Sequence, residues 1–283
     1  MLSECLARLS HPSMEYFRDT YKNSERWNGI DPLDGKTIIV YCEQGYGDTI
    51  QFARYFPHFK NCRVILHCPV PLHRLLAPFG FQMLDRNNPE LPSHDYHVLS
   101  MSLPFCFENT WEYPYLKVEE KSDLTDLKLE EDSIKIGIKW EGNPDHSNNA
   151  IRCCSLSYFR DLALQFPKFK FFALHNIFHN LDYLEGCDEM ELYASESQDF
   201  YDTAKLINAM DFVISTDTSV LHLSGALGKK TYGLLSKHCD GRWNLEEIIW
   251  YPSIQFIRQE MESDWETVFK TLKEELERNY VPR

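Results

Sequence analysis

The sequence predicts an α/β protein built on parallel sheets and divided into two domains. Three observations carry that expectation. Apolar runs rich in β-branched residues, such as 37–42, 63–68, 134–140 and 212–214, alternate with segments of helical spacing. Alternation at this interval needs crossover helices between parallel strands. Several runs end in small or polar residues, at 43–48, 140–143, 175–176 and 216–219, and open parallel sheets bind ligands at the carboxyl ends of their strands. Finally, residues 117–133 form a soluble charged run with Glu119, Glu120, Lys121, Asp123, Asp126, Glu130, Glu131 and Asp132. Such runs mark linkers. The expected organisation is an N-terminal extension over 1–35, a smaller domain over 36–130 and a second domain over 131–283.

The elements follow in order. Residues 1–35 read as helical or irregular, rich in Tyr, Trp and charge. Residues 37–42 make a buried strand by composition. Gly45 and Gly47 supply a turn, and Asp48 caps a helix in which Ile50, Ala53 and Phe56 recur at three-residue spacing. A second strand spans 63–68, a short helix spans 71–79 with Gly80 as its stop, and a third strand spans 96–100. In the second half, strands at 134–140 and 169–175 alternate with helices at 156–166 and 199–210. Strand 212–214 then runs through Ser215-Thr216-Asp217-Thr218-Ser219 into a helix, and 231–235 is another strand. The last helix, 264–280, puts Trp265, Val268, Leu272 and Leu276 on one face, so it packs against something.

Composition narrows the function classes. The 283 residues include 18 Phe, 15 Tyr and 6 Trp, enough for a substantial core. No apolar run approaches the roughly 20 residues that span a bilayer. Met1-Leu2-Ser3-Glu4-Cys5 does not open a secretory signal. The 9 cysteines stand singly apart from Cys153-Cys154 and show no C-x-x-C pair, which points to free thiols in the cytoplasm. A net charge of −14 repels nucleic acid and anionic membranes at long range. It leaves room for a local basic pocket, for which Lys139, Arg152, Lys229 and Lys230 are candidates.

The stretch 215–228 is the most informative. A helix start after a strand offers free N–H groups and a partial positive charge, which suits an anion such as a diphosphate. Thr218 and Ser219 are placed to cap that turn while leaving space for a ligand. His222 lies one turn further and reads either as a site residue or as a packing residue. Gly142 allows close backbone approach, Asn143 bonds in both senses, and His146 and Arg152 follow in the same loop. Asp48 has two roles open to it: helix cap, or proton acceptor at a strand end. The loop 43–48 begins like a G-x-G dinucleotide turn but has Ile50 where a third glycine would stand. The chain has no phosphate-loop signature, no nucleophile elbow and no D-x-D pair to hold a metal. Neutralising a diphosphate then falls to a helix start and one or two cations.

Taken together, Gln44-Gly45-Tyr46-Gly47-Asp48-Thr49-Ile50-Gln51-Phe52-Ala53-Arg54-Tyr55, Trp140-Glu141-Gly142-Asn143-Pro144 with His146 and Arg152, Asp217-Thr218-Ser219 with His222, Ala226 and Gly228, and Trp250-Tyr251-Pro252 with Asp264-Trp265 resemble the bacterial heptosyltransferase-like glycosyltransferases. These form glycosyltransferase family nine, and the resemblance leans to the branch often fused to tetratricopeptide repeats. It covers about residues 36–280. It implies a GT-B-like fold of two Rossmann-like domains facing a cleft, with the donor on the C-terminal one and a terminal helix crossing back. It implies Asp48 as the base and Asp217 and Thr218 as the phosphate loop. Cys153 departs from the Ser usual in that branch, and the N-terminal half is short for an acceptor domain.

The expected function is metal-independent, inverting transfer of a hexosyl or heptosyl group from a nucleotide-diphosphate sugar to a protein or glycan hydroxyl, with no cofactor. Asp48 would be catalytic. Gly47, Trp140, Asn143, Arg152, His175, Thr216, Asp217, Thr218, Ser219, His222 and Lys230 would bind the donor. Two rivals share the fold: a nucleotide-sugar-binding or assembly protein without transfer activity, and a sugar-nucleotide epimerase.

Overall fold

The computed structural model describes residues 10, 12–107, 112–146, 148–174, 190, 192–193, 197–243 and 250–280. The chain divides into two compact units, Met1–Tyr115 and Leu116–Arg283.

The first unit holds four parallel strands, β1 (Thr37–Tyr41), β2 (Arg63–Cys68), β3 (Gln82–Asp85) and β4 (Tyr96–Leu99), in the order β3-β2-β1-β4. β1 is covered on both faces, which is why Ile38, Ile39 and Val40 are all fully buried and the strand reads as an unbroken apolar run. The winding goes outward through β2 and β3 and then returns to the other side of β1 with β4. A ligand crevice belongs at such a reversal, and residues 43–48 leave β1 there. β3 has no β-branched residue and is partly exposed along its length, so composition does not announce it.

Residues before 36 are more than an extension. The helix Glu15–Tyr21 buries Phe17 and Tyr21, which join Met14, Ile39, Tyr41, Ile65 and Leu99 in one core cluster. The Trp27 N–H donates to the His97 carbonyl at 2.9 Å, and the His97 N–H donates to the Glu25 carbonyl at 2.9 Å. The Tyr21 hydroxyl lies 2.8 Å from His67 Nδ1. Ser24 Oγ lies 2.8 Å from His97 Nδ1. Burial outweighs these contacts and pushes both His67 and His97 down to about 4.

The second unit holds six parallel strands: β5 (Ile134–Lys139), β6 (Phe169–Ala173), β7 (Leu192–Tyr193), β8 (Phe212–Thr216), β9 (Thr231–Leu235) and β10 (Ile254–Arg258). Their order is β10-β9-β8-β5-β6-β7. The chain winds outward from β5 through β6 to β7, then returns to the other side of β5 and winds outward again. This is the doubly wound order of dinucleotide-binding sheets, with the reversal between β5 and β8. Helices Ser157–Gln165 and Trp265–Tyr280 cover one face. There Phe159, Leu162, Val268, Phe269, Leu272 and Leu276 close over Ile136, Ile138, Phe171 and Ile214. The rings of Tyr158 and Phe269 stack at 4.7 Å. The apolar face of the last helix is thus built into this unit's own core. Helices Phe200–Ala209 and Ser219–Ala226 pack on β5, β8 and β9 from the opposite face.

The division falls at 115/116, ahead of the 130/131 read from charge. The reason is backbone bonding that composition does not display. The Leu116 N–H donates to the Ala226 carbonyl at 3.2 Å, and the Ser122 N–H donates to the Lys205 carbonyl at 3.1 Å. The Asn208 side-chain amide donates to the Val118 carbonyl. The start of the charged run is therefore stitched to the second unit.

The buried histidines give a pH prediction. Their folded pKa values are lowered, so the unfolded chain binds more protons as pH falls below about 6.5, and stability is lost as pH falls from there towards 4. In a titration followed by NMR, the ring signals of His67 and His97 should stay in the neutral form down to pH 5. Titration of either ring near pH 6.5 would show that its burial is wrongly assigned.

Candidate functional site

In the second unit the carboxyl ends of β5 and β8 stand side by side. Lys139 is in register with Ser215, and Thr216 Oγ1 donates to the Lys139 carbonyl at 3.4 Å. Beyond β8 the chain turns through Asp217 and Thr218 into the helix Ser219–Ala226. Thr218 takes an extended backbone conformation, with φ −138° and ψ 173°, at the position before the helix. Its carbonyl accepts from the Leu221 N–H at 3.0 Å. Its side chain does not cap the helix, contrary to expectation. The hydroxyl turns back to the strand and lies 3.2 Å from Ser215 Oγ. The first turn therefore presents its N–H groups and partial positive charge to the strand ends without a side-chain cap.

Arg152 closes the short helix Asn149–Arg152 in the loop after β5. Its guanidinium lies on Gly142: a Cβ at 142 would sit 2.3 Å from Nη2. Arg152 Nε is buried and finds no hydrogen-bond partner among the described residues. Asn149, which the sequence reading missed, fastens this loop. Its Oδ1 accepts from the Gly142 N–H at 3.1 Å and from the Cys153 thiol at 3.2 Å. Next to a second asparagine it looks like ordinary loop, and no sequence signal marks it.

Asp217 is half-buried. Burial raises its pKa, while the Trp243 indole, Arg242 and Arg152 pull it back. Trp243 sits in the turn Gly241–Trp243, fully buried. Lys139 is only 9% exposed. Burial lowers its pKa to about 8, against the opposing charges of Glu141 and Cys153.

The other candidate donor residues sit in varied surroundings. Trp140 is 2% exposed and belongs to the core cluster under the last helix, with its carbonyl accepting from the Cys154 N–H at 3.0 Å. Asn143 is exposed, and its Oδ1 accepts from the Asp145 N–H at 3.1 Å, a side-chain turn that shapes the loop. His146 does the same for the Asn148 N–H. His222 is buried, with Nδ1 2.9 Å from the Tyr251 hydroxyl and its ring 5.2 Å from Trp243. It is a packing residue behind Asp217. Tyr251 in turn presses on Gly225, where a Cβ would lie 2.5 Å from the ring. Lys230 is at the amino end of β9, its ammonium 4.7 Å from the Tyr280 ring centre and 5.6 Å from that of Tyr232. That is the far end of the sheet from the strand ends where Asp217 faces Arg152. His175 lies outside the described residues.

In the first unit, Glu43 leaves β1 buried and spans the reversal. Its Oε2 accepts from Ser100 Oγ at 3.1 Å and from the Met101 N–H at 3.4 Å. Gln44 takes a left-handed φ of 65°. Arg86, just past β3, holds this turn by donating Nη1 to the carbonyls of Gln44 at 2.7 Å and Cys42 at 3.2 Å. The helix Tyr46–Phe52 begins after Gly45, with Gly47 as its second residue and Asp48 as its third. Asp48 Oδ2 accepts from the Gly45 N–H at 3.0 Å. Asp48 thus closes a capping box from the third helical position, three residues after the N-cap residue Gly45.

No protein-family model matches the chain, and no curated protein matches it. Solved structures do match in fold. E. coli ADP-heptose LPS heptosyltransferase II has a TM-score of 0.61 at 11% identity, over 86% of this chain and 99% of that chain. The family nine glycosyltransferase from Veillonella parvula DSM 2008 has a TM-score of 0.56 at 11% identity, over 87% and 91%. The iron-containing dodecameric glycosyltransferase TibC from enterotoxigenic E. coli H10407 has a TM-score of 0.54 at 11% identity, over 84% and 67%. The two parallel sheets and their crossover helices give this chain the GT-B-like, Rossmann-type fold of the heptosyltransferase structures.

Proposed function

We propose that this protein is a glycosyltransferase that moves a sugar from a nucleotide-diphosphate sugar to a hydroxyl of a protein or glycan. One observation carries the reading. At the reversal point of the second sheet, an uncapped helix start meets Arg152, whose Nε is buried and finds no hydrogen-bond partner among the described residues. Such donors suit a diphosphate, since a helix start and a charge-assisted N–H both favour phosphate oxygens. One solved structure of matching fold, E. coli heptosyltransferase II, is that of an ADP-heptose LPS heptosyltransferase, which supports a nucleotide sugar over a free phosphate.

The chemistry then runs as follows. Asp48 takes the proton of the acceptor hydroxyl as its oxygen bonds to the anomeric carbon. The bond from that carbon to the diphosphate oxygen breaks on the opposite face, which inverts the configuration. The departing diphosphate keeps the electron pair and is held by the helix start and Arg152, with no metal in the step. The buried thiols of Cys42, Cys68 and Cys154 suit a reducing compartment, and we place the reaction in a bacterial cytoplasm. One rival has an observation in its favour. The hydrogen bond from Gly45 gives Asp48 a structural task, which fits a nucleotide-sugar-binding protein without transfer.

Asp48→Asn separates the two. Asparagine can still accept from Gly45 but cannot take the proton. Transfer should fall by roughly a hundredfold or more, with melting temperature and donor affinity unchanged. Unchanged transfer would confine Asp48 to its structural task, and no transfer by wild type with a panel of labelled nucleotide sugars would favour the binding protein.

Gly142→Ala tests the anion site. The new methyl group displaces the Arg152 guanidinium, so affinity for ADP or UDP should weaken by about tenfold, the scale of a charged hydrogen bond. Calorimetry with and without EDTA should give the same wild-type affinity. Loss of binding on chelation, restored by magnesium, would overturn the metal-free step.

A further inference from the structure

We propose that Lys139 is a second cation for the donor's diphosphate, set by β5 at the start of the Ser219–Ala226 helix. This assignment rests on the nucleotide-sugar reading above and adds a residue to it. Along β5, Ile136 and Ile138, with Trp140 just after it, do not all share a side by chance. They belong to the core cluster with Phe159 and Phe269, and alternation along a strand leaves the sheet's other face for Gly137 and Lys139. The Ser219–Ala226 helix packs on that other face, against β8 and β9. Lys139 ends β5 level with Ser215, and the chain from Ser215 enters the helix four residues later.

The side chain is nine-tenths buried. Among the described residues its ammonium takes no hydrogen-bond or ion-pair partner. Its charged neighbours lie past the carboxyl end of β5: Glu141 and Cys153 favour the charge, and Arg152 opposes it. From β8, Ser215 shares the Lys139 face of the sheet by register, its hydroxyl donating to the Thr216 carbonyl at 2.8 Å and lying 3.2 Å from Thr218 Oγ1, with Asp217 beyond it in the turn. From the Phe200–Ala209 helix, Asp202 is engaged with Lys205 at 3.0 Å. A buried ammonium beside a guanidinium and a positive helix end is costly on its own and favourable once a polyanion joins it.

The sign of the pH effect follows. Burial brings the Lys139 pKa down to about 8, so the amine is largely charged at pH 7 and largely neutral at pH 9. A bound anion favours the charged form. Binding at pH 9 must therefore take up a proton, and affinity should fall by up to about tenfold per pH unit above 8.

The test is calorimetry on the full chain with inorganic pyrophosphate, ADP and UDP at pH 7 and pH 9, each in two buffers of different ionisation heat. Wild type should take up close to one proton per ligand at pH 9 and almost none at pH 7. Lys139→Met should bind about tenfold more weakly at pH 7 and show a flat profile from pH 7 to 9. Lys139→Arg, which stays charged, should keep the pH 7 affinity and also be flat. If Lys139→Met does not fold by thermal unfolding, wild-type proton uptake decides alone. Wild-type binding without uptake at pH 9 overturns the assignment of Lys139 while leaving the nucleotide-sugar reading intact. Binding of none of the three probes overturns both.

Discussion

The parallel pairing of β5 with β8 is the contact on which the second unit's chemistry depends. These strands are distant in sequence, and β6 and β7 are made between them. Their adjacency exists because the winding reverses at β5. The register that sets Lys139 beside Ser215 also sets the end of one strand beside the turn that leaves the other. Arg152, Asp217 and the helix start meet there without any further device. A slip of one residue in this pairing would turn every side chain of β8 to the wrong face. It would send Phe212 and Ile214 out of the core as surely as it would scatter the site.

Much of this was legible in the sequence. β1, β2, β4, β5, β6, β8 and β9 announce themselves as apolar runs because strands buried on both faces need apolar residues throughout. β3, β7 and β10 did not, since they are short or partly exposed along their length and their composition is mixed. The strand-end loops were found for a general reason, that parallel sheets collect chemistry at their carboxyl ends. Orientation was the weak point. Trp140, His222 and Lys230 are all plausible ligand contacts by residue type. The first turns into the core, the second is taken by Tyr251, and the third sits at the wrong end of its strand. Asn149 and Trp243 act through contacts that only three-dimensional packing reveals.

The two units solve the same problem differently. In the second, the strand-end turn is shaped by small hydroxyl residues and leaves its donors outward. In the first, Glu43 and Arg86 clamp the turn after β1 from two sides, one through Ser100 and Met101 and the other through two carbonyls. That clamp holds Gln44 in a left-handed conformation that a residue with a side chain rarely adopts. It fixes the direction in which the Tyr46–Phe52 helix sets out, and so the position of Asp48 within its own unit.

The hydroxyl of Thr218 that turns back to Ser215 has a consequence for motion. A helix with no side-chain cap leaves its first two amides, those of Ser219 and Val220, without a bond inside the helix, and such an end frays more readily than the middle. A phosphate group arriving at that end would act as the cap the sequence does not supply. Occupancy and local order would then be one equilibrium, with residues 219 and 220 exchanging their amide hydrogens quickly when alone and slowly when held. The same turn would report on its ligand through its own rigidity.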